Sequence, residues 1–164
     1  RLDRFDYVRA AHEGHLIAVP GRVVDFDYVA RKMREIFDRC DVQAVAFDRV
    51  FMKFLRPALS RAGFTDDELA RFLEHGQGFL GMGPAIRALE ERLLARKLKH
   101  GNHPLLRMCA ANAHVLTDDA NNRKFTKRKS TGRIDLLVAL AMACGVLPPI
   151  VEEFDCQLFF VGGG

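Results

Sequence analysis

Apolar residues recur along this chain with two periods, one helical and one strand-like. Val29, Met33, Ile36 and Phe37 fall at helical spacing, with Arg31, Lys32, Arg34 and Glu35 filling the opposite face. Asp25 or Asp27 can cap the start of that helix. Phe51, Leu55 and Leu59 align in a second helix closed by Gly63, and Pro57 should kink it or mark its true start. Thr65 and Glu68 have capping-box spacing, which predicts a helix over 66–74. Pro84 predicts the start of a long helix with Ile86, Leu89, Leu93 and Leu94 on one side and Gly101 as its stop. A shorter helix begins at Pro104, and a last one is expected over 132–143, closed by Gly145 and Pro148-Pro149.

Compact apolar runs mark the strands. Leu16 to Val19 is a short one ended by Pro20-Gly21, and Val42 to Phe47 has the character of a buried parallel strand. Residues 113–116 and 123–127 flank the turn Asp118-Asp119-Ala120-Asn121-Asn122, which predicts a hairpin. A short helical turn before Gly14 precedes all of this, and the glycines at 76, 78, 81 and 83 read as a flexible loop. Strands alternating with helices predict an α/β domain over 1–147. Residues 148–164 form a C-terminal tail, and its terminal glycines point to disorder.

Composition adds limits. At 164 residues and 49% hydrophobic, the chain suits one domain with a real core. A net charge of +4 hints at an anionic partner without establishing one. The four cysteines, at 40, 109, 144 and 156, form no C-x-x-C pair and read as reduced thiols. The run Leu136 to Cys144 is too short to cross a bilayer, and no signal peptide is visible. There is no Walker A loop and no G-x-S-x-G elbow. His12 with His15, and His100 with His103, have H-x-x-H spacing but span glycines, so they read as surface or capping residues rather than zinc ligands. With no initiator Met, the chain is expected to be a fragment or a processed product.

Asp135 is the sharpest chemical signal. It stands in Ile134-Asp135-Leu136-Leu137-Val138-Ala139-Leu140-Ala141-Met142-Ala143, a stretch apolar enough to expect burial on all sides. A buried carboxylate needs a partner. A divalent cation would supply one, as would Arg133, Lys129 or a helix N-terminus. Asp48 follows the apolar strand at its carboxyl end, where open α/β sheets place ligands; a strand-to-helix cap is the alternative. Between Arg123 and Arg133, six of eleven residues are basic, running from the hairpin towards Asp135. Charge runs are usually solvated faces, yet beside a candidate metal site phosphate binding becomes the better reading.

The chain resembles the C-terminal nuclease region of large terminase subunits from tailed double-stranded-DNA phages. The resemblance rests on Pro20-Gly21-Arg22-Val23-Val24-Asp25, Val45-Ala46-Phe47-Asp48-Arg49, Gly76-Gln77-Gly78-Phe79, His100-Gly101-Asn102-His103-Pro104, Ala111-Asn112 and Ser130-Thr131-Gly132-Arg133-Ile134-Asp135, in the family's order. It implies a ribonuclease-H-like mixed sheet flanked by helices, with an added β-hairpin. It also implies an endonuclease that cuts concatemeric double-stranded DNA with two Mg²⁺ or Mn²⁺ ions. Asp48 and Asp135 match two of the family's metal-binding acids. Lys124, Lys127, Arg128, Lys129 and Arg133 would contact phosphates, with Gln77 and Asn112 as second-tier candidates.

No residue here matches the family's first acid, so the first strand or strands are expected to be missing and the fragment alone inactive. In the full protein the implied partners are an ATPase domain, a portal and a small terminase subunit, in the host cytoplasm and away from membranes. A resolvase or transposase core, or a non-catalytic DNA-binding or motor-docking module, remains as an alternative.

Overall fold

Val45, Ala46 and Phe47 face alternate sides of a short strand, and that alternation divides the apolar residues into two clusters. The structure is a computed structural model. It describes residues 5–126 and 132–150, apart from the side chains of Arg49 and Phe51. In chain order the elements are α1 (Tyr7–His12), α2 (Phe26–Arg39), β1 (Val45–Phe47), α3 (Arg49–Arg61), α4 (Asp66–Leu69), β2 (Phe72–Glu74), α5 (Phe79–Leu94), α6 (Pro104–Ala111), β3 (His114–Thr117), β4 (Arg123–Thr126) and α7 (Asp135–Val146). This is a mixed α/β arrangement.

β1 and β2 pair in parallel, Val45 opposite Phe72 and Phe47 opposite Glu74. On one side, Val45 and Phe47 meet a cluster built from Ala30 of α2, Ala58 and Leu59 of α3, and Phe64, Leu69 and Phe72. Phe37, Phe64 and Phe72 interlock there, Phe37 meeting Phe64 edge-on at 4.9 Å. On the other side, Ala46 packs against Met82, Ala85, Ile86 and Leu89 of α5 and Val138, Ala141, Met142 and Cys144 of α7. Leu59, Met82 and Ile134 are almost wholly buried; each such side chain contributes about 1.5–3 kcal/mol.

Local chemistry fixes several element ends. Asp25, rather than Asp27, caps α2 by accepting the Asp27 N–H. Thr65 and Glu68 form the expected capping box. Gly63 follows α3 with φ +83, a backbone conformation that glycine adopts without strain. Pro104 opens α6 at its first position. The hairpin is present, with Val115 opposite Phe125 and Leu116 opposite Lys124.

Other expectations fail. The 66–74 helix stops after one turn, and Phe72–Glu74 becomes strand β2 instead. Residues past Ala70 gain more by pairing with β1 and burying Phe72 than by extending the helix. The glycine loop is shorter than expected because α5 begins at Phe79, so Gly81, Gly83 and Pro84 lie inside the helix. A Cβ on Gly81 would stand 2.1 Å from the Gly76 carbonyl oxygen, so this residue must be glycine for the loop to fold onto the helix. Pro84 lacks an N–H and forfeits one helical bond near the start. α3 likewise runs through Pro57 without ending.

Residues 16–19 form no strand; Leu16 and Ile17 are exposed and lie against no sheet. α7 starts three residues later than expected and is not buried on all sides, Leu136 being 42% exposed. Cys40 is an exposed free thiol, and Cys109 and Cys144 are buried ones; burial pushes the Cys144 thiol upward from its ordinary range. Cys156 and the expected disorder at 151–164 lie outside the described residues. Among the described residues, no helix is long and apolar enough to cross a membrane.

Candidate functional site

Asp48 is held where a strand turns into a helix. β1 ends at Phe47, α3 begins at Arg49, and Asp48 between them is the N-cap, with Oδ1 accepting the Val50 N–H at 3.2 Å. The side chain is half-buried. Asp48 is thus a strand-to-helix cap: one oxygen caps the helix, and Oδ2 is not used in that bond. His75 leaves the sheet at the same end, donating its backbone N–H to the Phe47 carbonyl. Its Nε2 lies 3.0 Å from the point where a Cβ on Gly145 would sit, so the end of β2 abuts α7. Sequence reasoning missed His75 because its strand was read as a helix.

Asp135 is the first residue of α7. The expectation that it is enclosed in an all-apolar helix fails: its side chain is 52% exposed, and Oδ2 lies 3.6 Å from Arg133 Nη1. Asp135 and Leu136 face outward, whereas the flanking Ile134 and Leu137 pack with the core and the fully buried residues of α7 begin at Val138. Position at the helix start favours the carboxylate through the unpaired N–H groups and the dipole.

Several other expected residues gather around this point. Asn112 closes α6 and donates from Nδ2 to the Arg133 carbonyl at 3.4 Å and to the Met108 sulfur. Gln77 lines a cavity of about 150 Å³ with Met82, Phe125, Ile134 and Val138, which joins the glycine loop, the hairpin and the start of α7. β1 packs on α7 through Ala46, linking the strand that ends at Asp48 to the helix that begins at Asp135.

The hairpin is fastened to α5 by two interactions. Arg123 makes a bidentate pair with Glu90 at 2.6 and 2.7 Å, and this bond raises the guanidinium above its ordinary range. Lys124 Nζ sits 4.2 Å over the Phe79 ring. Glu90 and Phe79 escaped sequence reasoning, since nothing in their local pattern names a partner in a distant hairpin. Asp118 is the hinge of the turn: Oδ1 accepts the Ala120 and Asn122 N–H groups, and Oδ2 accepts the Asn122 amide. Arg133 is exposed, whereas Lys127, Arg128 and Lys129 lie outside the described residues.

Carboxylate oxygens are the donors that Mg²⁺ and Mn²⁺ prefer. Among the described residues, however, no group of three or more His, Cys, Asp or Glu is arranged to hold a metal ion. Asp48 and Asp135 suit such an ion chemically, and by themselves the described residues do not assemble a complete centre.

Comparison with known proteins bears on the whole chain. The family described as terminase large subunit, endonuclease domain, matches residues 1–147. The terminase large subunit of Enterobacteria phage HK97 is 41% identical over 163 residues, covering 97% of this chain and 32% of that protein. The crystal structure of the HK97 bacteriophage large terminase superposes with a TM-score of 0.80 at 41% identity, covering 88% of this chain and 29% of that one. The chain thus spans about a third of the length of these relatives. This chain belongs to the family of terminase large subunit endonuclease domains.

Proposed function

We propose that this domain hydrolyses phosphodiester bonds of double-stranded DNA with two divalent ions, Mg²⁺ or Mn²⁺, cutting concatemeric viral genomes during packaging. Membership of the endonuclease-domain family carries this reading, because the matched region contains both carboxylates and the basic hairpin. The packing of β1 on α7 supports it by joining the element that ends at Asp48 to the one that starts at Asp135. A ribonuclease-H-like sheet, in which further strands extend β1, fits the parallel β1–β2 pair. A third acid would complete the site.

Bound ions would activate water and stabilise the departing oxygen. The residues of this chain divide the remaining work. Asp48 and Asp135 supply anionic oxygens. Lys124, Lys127, Arg128, Lys129 and Arg133 neutralise phosphates along the duplex without reading its sequence. Glu90 and Phe79 fix the hairpin strand that carries Arg123 and Lys124. Gln77 and Asn112 brace the start of α7. In the full protein the proposed partners are an ATPase domain, a portal and a small subunit, and the proposed location is the host cytoplasm, a reading that similarity to the HK97 terminase large subunit supports.

A second reading has one observation in its favour. Asp135 pairs with Arg133, as a non-catalytic DNA-binding or motor-docking module would have it. Plasmid cleavage separates the two. A polypeptide extended upstream of Arg1 should nick supercoiled plasmid in Mn²⁺, and Asp135→Asn should stop it while leaving the circular dichroism spectrum unchanged. Undiminished cleavage by Asp135→Asn would remove that residue from the chemistry.

A further inference from the structure

From Leu136 to Val146, α7 carries no charged, amide or hydroxyl side chain. Such a helix is ordinarily covered on every side. Here one side meets the core through Val138, Ala141, Met142 and Cys144, while Leu136, Ala139 and Ala143 are exposed. Leu140, four residues on from Leu136, joins this outer face to an open cavity of about 140 Å³ between α5, α6 and α7. Leu89, Leu93, Leu98, Leu106 and Leu137 line it as well. Leu93 and Leu94 carry the apolar surface outward, at 46% and 85% exposed.

The frame of this face is cationic. From Arg92 to Thr117 the chain has five lysines and arginines and no aspartate or glutamate. His100 and Arg107 line the cavity itself, and Arg96, Lys97 and Lys99 flank Leu98; all five are exposed. Among the described residues, Arg96, Lys97, Lys99 and Arg107 have no carboxylate partner. Lys99 and His100 precede the start of α6, Arg107 lies in its first turn, and that turn holds no acid. The helix dipole disfavours cations there and favours anions. Charge on α6 is thus placed against its dipole, and a negatively charged partner would offset this.

Three kinds of occupant can be weighed. DNA phosphates would meet the cations and leave the leucines uncovered. A second copy related by twofold symmetry would set the same cations against each other. A polypeptide helix with both acids and apolar residues satisfies the whole face, as helix-in-groove recognition does.

We propose that α5, α6 and α7 form a docking groove for an amphipathic helix of a partner protein, with leucine or phenylalanine on one face and aspartate or glutamate beside it. Its apolar side chains enter the cavity and cover Leu136 and Leu140. Its acids meet Lys99, His100 and Arg107. The groove does not depend on the nuclease reading, since Asp48, Asp135 and the hairpin do not line it.

Amide NMR on the whole 164-residue chain tests this by titration with a synthetic peptide. The probe is an amphipathic peptide of about five helical turns, with leucines along one face and glutamates on both flanks. The control replaces every glutamate with lysine. The glutamate peptide should shift amides of α6, of residues 95–103 and of the outer face of α7, with β1 and β2 unmoved. Lys99→Glu with Arg107→Glu should weaken its binding at least about tenfold and let the lysine peptide bind instead. Leu93→Ser should weaken both of these matched pairs. No shift of these amides by the glutamate peptide overturns the proposal, as does equal binding of the lysine control to the unaltered chain. A DNA duplex that shifts the same amides at lower concentration than the peptide gives the face to nucleic acid. Sedimentation showing a dimer that Leu93→Ser dissociates gives it to a second copy. Either result also overturns the proposal.

Discussion

Asp48 caps α3 and is proposed to hold a metal ion, and substitution can separate the two roles. Asn caps a helix about as well as Asp, whereas Ala loses roughly 1 kcal/mol at such a position. Asp48→Asn should therefore melt within a few degrees of the unaltered protein, and Asp48→Ala should melt lower, by differential scanning calorimetry. Both should lose cleavage by at least roughly 100-fold in an upstream-extended polypeptide, since several kcal/mol of transition-state stabilisation would rest on the ions. Gly81 gives a purely structural contrast. Its missing Cβ would meet the Gly76 carbonyl oxygen at 2.1 Å, and backbone does not yield cheaply. Gly81→Ala should cost about 1–3 kcal/mol, read as a lower denaturant midpoint. At this scale the sequence is informative about which residues matter and less so about why. Asp135 stands out as an acid in an apolar run, yet it lies on the outward face at the start of α7 and is half exposed. Which face of an apolar helix is left uncovered is a tertiary fact that periodicity does not contain.

Elements were legible wherever one local rule decided them. The Thr65–Glu68 box, Pro104 at the first position of α6, and the Asp118 turn each satisfy backbone groups within a few residues. Elements decided by distant partners were not. β2 exists because β1 offers a pairing edge, and α5 starts early because Gly81 lets the preceding loop lie against it. The box also couples to pH. Glu68 is held down to about 2, first by Arg34 and then by the Thr65 backbone N–H, from an ordinary value of 4.5. A depressed carboxylate contributes stability that is present above its unfolded-state value and lost as pH falls through the folded one. Glu68→Gln should therefore lower the melting temperature at pH 7. The gap should close between about pH 4.5 and pH 2, followed by thermal melts across that window. A gap that persists unchanged at pH 2 would mean that Glu68 acts by shape rather than charge.

At the scale of the molecule, two apolar clusters meet across one short strand, and the candidate site sits where the elements of that meeting end. α/β character was legible from alternating patterns, and family membership from short ordered motifs. How near the two carboxylates lie was not, because it depends on how β1 and α7 are stacked. The basic run from Arg123 to Arg133 makes a prediction at this scale. Lys127→Glu with Lys129→Glu should weaken binding to duplex DNA. The dependence of log affinity on log salt should flatten by about 0.9 for each phosphate no longer neutralised. An unchanged slope in fluorescence anisotropy would take Lys127 and Lys129 out of the DNA path.

The most direct measurement is anomalous diffraction from crystals of the upstream-extended polypeptide soaked in Mn²⁺. The account predicts two peaks ~4 Å apart, with Asp48 and Asp135 both bound to metal and a third acid from the added strand completing the site. No peak between Asp48 and Asp135, with the two carboxylates more than about 8 Å apart, too far to share such a pair of ions, would contradict it.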